Sequence, residues 1–275
     1  MSTQHSIPPE RFPPRLAELG FTAHVIHGVE VIVPPACYVA EGEFLMGSDP
    51  QQEPESYGKE RPEHGVNLPA FEIARYPVTV AEYACFVRAE GERHVTPPGM
   101  TYSVDWPTQL QHLDHRVVDV KGTDASDYVE WLAMMTHQPW RIPTEAEWEK
   151  AARWDTVQGY SRRYPWGDTC DWSHCNRGGN APVGTHPSGA SPCGAEDMVS
   201  NGWERTRSLF VPYPYHPGDA REVLRLRGIG DARLVLRGSG SADHSGAVRA
   251  AVRFDCDIAF SVGIGFRLVR AVLSA

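Results

Sequence analysis

Cysteine and histidine side chains are where metal or redox chemistry would first be sought in this sequence. Cys170 and Cys175 lie close together in Cys-Asp-Trp-Ser-His-Cys, and His112 and His115 flank a Leu-Asp pair. A structural zinc site needs a second pair of ligands as well as a closely spaced first pair. No second cysteine pair of that kind occurs, and no helical pattern supports the histidines. We therefore expect neither pair to bind a metal, and we expect the 6 cysteines to be reduced thiols.

The C-terminal end, residues 236–269, contains a second set of candidate functional residues. Neither a helical nor a strand period runs through residues 239–246 or 254–263, where small, acidic, aromatic and thiol side chains alternate. A regular segment, residues 248–253, separates the two stretches. We predict that the two stretches form one ligand-binding surface. Its predicted contact residues are Ser239, Gly240, Ser241, Ala242, Asp243, His244, Ser245, Gly246, Phe254, Asp255, Cys256, Asp257, Ile258, Ala259, Phe260, Ser261, Val262 and Gly263.

Residues outside this surface must hold it in place. If the side chains that contact a ligand also formed the core, a change in them would often prevent folding. The predicted buried framework consists of Leu236, Arg237, Val248, Ala250, Val252, Ile264, Phe266 and Leu268. The predicted exposed apolar patch consists of Phe254, Ile258, Phe260 and Val262, with Asp243, Asp255 and Asp257 at its edge. Exposed apolar patches mark interaction sites. The alternative for Phe260 and Val262 is that they pack into the core.

Local patterns predict the helices that must position this end. Thr79 and Glu82 have the spacing of a capping box, which predicts a helix start, and Thr144 and Glu147 repeat the device. A further helix is predicted over residues 124–135 and a short one over residues 15–19. The second capped helix carries the polar residues Arg141, Glu145, Glu149 and Arg153, for which we expect ion pairs at i,i+4 spacing.

The remaining chain is predicted to be one domain with short strands and long loops. Residues 24–33 alternate as a hairpin that turns at His27-Gly28, within an N-terminal extension of residues 1–36. Residues 37–275 form the domain itself. Polar, proline-rich residues 49–63 are expected to be a surface loop, and residues 159–200 to be largely irregular.

Charge and composition exclude several classes of protein. The 275 residues have a formal net charge of -9, and only three lysines occur, so a general nucleic-acid binder is not expected. No apolar run has the length of a membrane span, and the first residues lack the pattern of a signal peptide. We therefore expect a cytoplasmic protein that binds no nucleic acid and has no membrane span.

A series of motifs follows an order that is typical of one family. The motifs are Phe44-Leu45-Met46-Gly47-Ser48, Tyr76-Pro77-Val78-Thr79, residues 140–153, Tyr164-Pro165-Trp166-Gly167, Pro182-Val183-Gly184, Asn201-Gly202-Trp203-Glu204, Leu236-Arg237-Gly238 and Gly265-Phe266-Arg267. In them, residues 37–270 resemble the formylglycine-generating-enzyme family. The resemblance implies an α+β, C-type-lectin-like fold with small antiparallel sheets, about three helices and a high loop content.

The resemblance also implies cofactors, which the residues match only in part. Asn201 and Glu204 match a stretch that helps to bind a structural calcium ion, the one cofactor we expect. The family's copper-binding cysteine pair, aligned through the neighbouring arginines, falls on Ser245 and Ala250, which cannot be thiolate ligands. A sulfoxide-synthase branch uses iron with a further N-terminal domain, for which residues 1–36 are too short. We therefore expect no oxidase chemistry of either kind.

The chain also resembles a second group on this fold, the variable proteins of diversity-generating retroelements. Randomised adenines in Asn codons cannot produce Lys, Glu, Gln, Met or Trp, and the predicted contact residues include none of these. We therefore predict a non-enzymatic binding protein whose C-terminal surface is diversified by a retroelement and whose partner is a protein or another macromolecule. The alternative is a formylglycine-generating-type oxidoreductase or a degenerate, enzyme-like regulatory module.

Overall fold

The computed structural model describes residues 7–95, 103–176, 179–223, 226, 232–239 and 245–272. Five α-helices lie within these ranges: α1 (Pro14–Glu18), α2 (Val80–Glu90), α3 (Trp106–Gln109), α4 (Gly122–Thr136) and α5 (Glu145–Arg153). The strands are β1 (Thr22–Ile26), β2 (Val29–Val33), β3 (Ala36–Val39), β4 (Gly42–Met46), β5 (His64–Leu68), β6 (Phe71–Ala74), β7 (Trp140–Arg141), β8 (Trp154–Asp155), β9 (Tyr160–Ser161), β10 (Gly202–Leu209), β11 (Arg233–Ser239), β12 (Phe254–Asp257), β13 (Ile264–Phe266) and β14 (Val269–Ala271).

Two four-stranded sheets organise the described chain. Their strand orders are β12-β11-β10-β13 and β3-β6-β14-β7, and three further sheets are two-stranded ribbons. The pairings are antiparallel except that β10 and β13 run parallel. The predicted α+β fold with small antiparallel sheets is confirmed. The helix beyond the predicted set is α3, a single turn within a predicted loop, which Asp105 caps by accepting the Thr108 N–H at 2.8 Å.

Both predicted capping boxes form. The Thr79 hydroxyl accepts the Glu82 N–H, and the Glu82 carboxylate accepts the Thr79 N–H at 2.7 Å. Thr144 and Glu147 exchange the same pair of bonds at the start of α5. Each box satisfies two of the backbone donors that a helix start leaves unpaired. Helices α2 and α5 therefore begin at the positions that the sequence predicts.

The predicted N-terminal hairpin also forms, and it packs into the main core. His27 and Gly28 have φ values of 51° and 82°, as a tight two-residue turn requires. Val31 and Ile32 of β2 are buried in the same apolar cluster as α2 and α4. A second cluster surrounds α5, β4 and β5. Among the described residues, no helix combines the length and the apolar character that spanning a membrane requires.

The C-terminal strands join the two large sheets. Trp203 of β10 pairs with Gly238 of β11 on one side and with Ile264 of β13 on the other. Two residues separate β13 from β14, and β14 lies between β6 and β7 in the other large sheet. The segment that carries the predicted surface is therefore tied at both ends to the centre of the fold.

Candidate functional site at the C-terminal face

Among the described residues of the C-terminal end, two aromatic side chains are exposed. Phe254 on β12 is 49% exposed and Phe260 is 51% exposed, while Ala259 also faces solvent. The Trp203 ring lies 5.7 Å from the Phe254 ring, centroid to centroid, and Lys59 Nζ lies 4.3 Å from the same centroid. Burial lowers the pKa of Lys59. We call the surface formed by Lys59, Trp203, Phe254, Ala259 and Phe260 the C-terminal face.

Several of the predicted contact residues are structural instead. Ser239, Gly246, Cys256 and Ser261 are buried, so the prediction that they touch a ligand is wrong. The Ser239 hydroxyl accepts the Ser200 N–H at 3.1 Å, and Cys256 packs with the buried strand residues of β11 and β13. Of these four residues, Ser239 and Cys256 lie within strands β11 and β12.

The remaining predicted contact residues divide into three groups. Ile258 packs against the main core, and Val262 and Gly263 are half-buried. Asp255 pairs with Arg233, and Asp257 accepts the Ala259 N–H at 2.7 Å, so two of the three predicted edge carboxylates have partners. Five residues lie outside the described ranges, as does the Ser245 side chain, although Ser245 begins a 3-10 turn, Ser245–Val248. These five are Gly240, Ser241, Ala242, Asp243 and His244.

The predicted framework is confirmed. All of its members are at most 5% exposed: Leu236, Arg237, Val248, Ala250, Val252, Ile264, Phe266 and Leu268. The core alternative does not hold for Phe260, which is exposed. The C-terminal face therefore stands on a buried frame, as the sequence predicts, and three of the predicted contact residues are exposed among those that the structure describes.

Buried ion pairs fix this frame to α5. Arg237 on β11 contacts Glu149 at 2.5 Å and Glu145 at 2.8 Å, and Arg253 contacts Glu145 at 2.7 Å. All four groups are 0% exposed, so the charges depend on one another for compensation. Burial alone would lower the pKa of Arg237, but Tyr213 and the two glutamates outweigh it, so the pKa lies above its ordinary value.

The expected ion pairs along the α5 segment form only in part. Glu149 and Arg153 pair at 3.3 Å with i,i+4 spacing, as predicted. Arg141 instead binds Glu147 through two N–H bonds, at 2.5 and 2.7 Å. Glu145 is buried against the C-terminal arginines and is unavailable to Arg141. Glu145 therefore pairs with arginines that are distant in the sequence and not with Arg141.

Sequence reasoning missed the contribution of the loop at residues 49–63. Glu53 and Glu60 are buried, at 6% and 0% exposure, which contradicts the predicted surface loop. Arg249 contacts both, at 2.9 and 2.7 Å, and Arg153 contacts Glu53 at 2.9 Å. Their partners lie about 100 and 190 residues away along the chain, so no local pattern could have identified them.

Three residues make hydrogen bonds to the backbone of segment 258–263, and none of them was predicted. Arg205 donates to the Phe260 carbonyl at 2.5 Å and to Cys256 Sγ at 3.4 Å. Asp119, at a positive φ of 61°, accepts the Gly263 N–H at 2.6 Å. Arg116 donates to the Gly263 carbonyl at 3.2 Å.

The residues that resemble a calcium site do not fit a calcium ion. Arg267 binds both carboxylate oxygens of Glu204, at 2.6 and 2.7 Å, and Trp148 Nε1 donates to the same carboxylate at 2.7 Å. The Asn201 side-chain oxygen accepts the Ala181 N–H at 3.1 Å. A cation would have to displace a buried guanidinium. Asn201 and Glu204 therefore pin loops.

The copper site of the resembling enzymes has no thiols here. Of its two aligned positions, Ala250 is buried and Ser245 begins a 3-10 turn. Neither residue type supplies a thiolate. The described residues on this face therefore do not fit the copper ion, and no chemical step is assigned to one.

A family model described as a sulfatase-modifying factor enzyme 1-like domain matches residues 23–272. The chain belongs to this family. The match begins within the β1-β2 hairpin, which packs into the same core as the rest of the domain.

Relatives in sequence include enzymes of two kinds. Hercynine oxygenase from Mycolicibacterium thermoresistibile is 35% identical over 251 residues, which cover 82% of this chain and 56% of the relative. Formylglycine-generating enzyme from Mycobacterium tuberculosis is 31% identical over 236 residues, covering 64% of this chain and 73% of the relative. The chain thus spans little more than half the length of the hercynine oxygenase that it matches.

Solved structures share the fold at lower identity. PvdO from Pseudomonas aeruginosa has a TM-score of 0.69 at 23% identity and covers 87% of this chain and 95% of its own. Treponema denticola variable protein 1 has a TM-score of 0.64 at 16% identity and covers 92% of this chain and 99% of its own. These values show a common fold, one that a variable protein also uses.

The prediction of a non-enzymatic, retroelement-diversified receptor is wrong, because the sequence relatives at 35% identity are oxygenases. The predicted absence of enzymatic activity is corrected with it. Two inferences led to this error: two thiols are missing, and residues 1–36 were taken to be too short for the further domain of the iron-dependent branch. Loss of a thiol pair removes one way of holding a metal, and it leaves open chemistry that needs no cysteine at those positions.

Proposed function

We propose that this chain is part of an oxygenase, or an oxygenase itself, and that its C-terminal face contributes to the substrate site. The observation that carries the proposal is the 35% identity to hercynine oxygenase over 82% of the chain. Hercynine is therefore the first substrate to test. A small substrate takes the place of the macromolecular ligand that the sequence analysis expected at this face.

The geometry of the C-terminal face supports a binding role. Phe254 and Phe260 are exposed, whereas the strands beneath them are held by buried ion pairs and by Arg205. Exposed aromatic side chains on a rigid support are typical of recognition surfaces. Hercynine carries a quaternary ammonium group, and aromatic rings attract such cations. The face thus has the chemistry to contact this substrate without supplying a reactive group of its own.

The iron of the sulfoxide-synthase branch does not fit the C-terminal face. Within the ranges that the structure describes, the one group of three potential metal ligands is His94, Asp124 and Asp127, which lies on α4 and after α2. None of these residues belongs to the face. We therefore assign no redox step to a metal at this surface and limit its role to binding and orientation.

Oxygen consumption tests the proposal directly. The complete gene product would be supplied with hercynine, a thiol such as cysteine, and ferrous iron. We expect consumption that requires hercynine, and a several-fold higher KM in Phe254→Ala or Phe260→Ala. Tyr38→Ala is the matched control, because Tyr38 is 58% exposed and lies on β3, away from the face. Absence of any hercynine-dependent oxygen consumption would overturn the proposed activity.

We also propose that the protein works in a reducing compartment such as the cytoplasm. All 6 cysteines are free thiols in the structure: Cys37, Cys85, Cys170, Cys175, Cys193 and Cys256. Disulfides are usual in oxidising compartments and rare in the cytoplasm. Alkylation of cells lysed in denaturant, followed by mass spectrometry, should label every cysteine, and a disulfide in that sample would contradict the assignment.

A further inference from the structure

We propose that His94, Asp124 and Asp127 form a binding site for a first-row divalent cation on the α2–α4 side of the molecule. The three residues lie beside a surface pocket of about 410 Å³, whose wall includes His94 and Asp127. None of them belongs to the C-terminal face. The proposal therefore does not depend on the oxygenase activity proposed above.

The spacing of the three ligand atoms suits a single ion. His94 Nδ1 lies 3.2 Å from Asp124 Oδ1 and 3.6 Å from Asp127 Oδ2, and all three ligand atoms fall within 4.8 Å of one another. Ligands bound at about 2.1 Å are roughly 3.0 to 3.4 Å apart in octahedral or tetrahedral geometry. Small side-chain rotations would therefore bring the three atoms around one cation.

The fold positions each ligand before any ion binds. Asp124 and Asp127 are three residues apart in the first half of α4, so both side chains lie on one helix face. His94 ends a 3-10 turn after α2, where its carbonyl accepts the Tyr83 hydroxyl at 2.8 Å. Its ring packs 4.6 Å from the Phe86 ring. Ligands held in this way lose little conformational freedom on binding.

The buried imidazole supplies an independent observation. His94 is 4% exposed, and its Nε2 atom has no hydrogen-bond partner in the described residues. The Nδ1 atom of the same ring faces both carboxylates, so a cation bound there would meet all three ligand atoms at once.

The surroundings attract cations and leave room for further ligands. Glu90 and Glu130 line the pocket together with Asp127, and the one guanidinium there, Arg93, pairs with Glu90 at 3.5 Å. One imidazole nitrogen with two carboxylate oxygens suits zinc, manganese or ferrous ions better than calcium, which prefers an all-oxygen shell. Water or a small anionic ligand could complete the coordination from the pocket.

Calorimetric titration with zinc or manganese tests the site in the complete gene product after chelator treatment. We expect about one ion per chain and a metal-dependent rise in Tm. Asp127→Asn and Asp124→Asn should each weaken binding at least tenfold, because the isosteric amide lacks the charge. The matched control is Asp114→Asn, which alters a His115–Asp114 contact of 3.2 Å that belongs to no group of three potential ligands among the described residues.

Two results would overturn the proposal. One is the absence of stoichiometric binding at millimolar metal, and the other is equal binding by the wild-type protein and Asp127→Asn. Circular dichroism and the metal-free Tm of each variant show whether it is folded, so that lost binding is not confused with unfolding. Since the readout is binding, failure of the hercynine assay would leave the result unchanged.

Discussion

The two capping boxes share one sequence device but have opposite electrostatic surroundings. In α2, Glu82 is 1% exposed, and its Oε1 atom has no partner in the described part of the chain. Burial raises the pKa of Glu82 to about 8. In α5, burial of Glu147 acts in the same direction, but the ion pair with Arg141 outweighs it and holds the pKa below its ordinary value. The local motif sets the helix start, and the neighbours set the charge.

The same contrast extends to the halves of the molecule around these helices. Tyr83 and Phe86 of α2 pack against Tyr128 and Trp131 of α4, with ring centroids 5.6 to 5.7 Å apart. The residues of α5 instead meet the buried arginines of the C-terminal end. One half depends mainly on apolar burial and the other on compensated charge, which predicts different responses to substitution.

The largest effect is expected from Glu145→Ala. It leaves Arg237 and Arg253 without a carboxylate that contacts them at 2.8 and 2.7 Å. Removing one partner of a buried ion pair typically destabilises a protein by about 3–5 kcal/mol. Denaturant unfolding measures the loss. Glu90→Ala is the control, since Glu90 is 40% exposed and ends α2, and it should change stability by less than about 1 kcal/mol. Similar losses in the two variants would refute the contrast.

An intermediate, pH-dependent effect on the free energy of unfolding is expected at Glu82 and Glu147, the glutamates of the two capping boxes. Because the folded pKa of Glu82 is raised from 4.5 to about 8, its contribution to stability is present below pH 4.5 and is lost as pH rises through 8. Glu82→Gln should remove this loss, so the variant gains on the order of 3 kcal/mol relative to wild type between pH 5 and 8.

Glu147→Gln should show the opposite sign. The lowered folded pKa of Glu147 stabilises the protein above its ordinary pKa of 4.5, and this contribution is lost as pH falls through the folded pKa. The variant should therefore be less stable than wild type at neutral pH, with a difference that shrinks in acid. Unfolding free energies from pH 4 to 8 measure both variants. Equal signs would show that the surroundings of the two boxes are alike.

The smallest effect is expected from the caps themselves. Thr79→Ala and Thr144→Ala each remove a hydroxyl that accepts an N3 backbone N–H. Loss of such a cap costs about 1 kcal/mol. The two losses should agree within about 0.5 kcal/mol, because the bond is local in both helices. Thermal and denaturant unfolding of the pair would check this, and a gap of more than about 1 kcal/mol would mean that tertiary contacts also set the cap strength.

Local patterns were sufficient for the helix starts, the hairpin and the buried framework. The hairpin turn follows from His27-Gly28, and the framework from apolar residues that flank an irregular stretch. Local patterns were insufficient to predict which residues form the C-terminal face. Cys256 and Ser261 are chemically suited to a surface, yet the strands around them bury both. A side chain's type does not state which neighbours cover it.

The sequence by itself determined the family, the α+β architecture and the positions at which the helices begin. These depend on motif order and on bonds between residues three apart, such as Thr144 and Glu147. Only the tertiary structure decided which arginines the buried carboxylates meet and which C-terminal residues stay exposed. Glu53 and Arg249 are almost 200 residues apart, and only the fold brings them into contact and buries both.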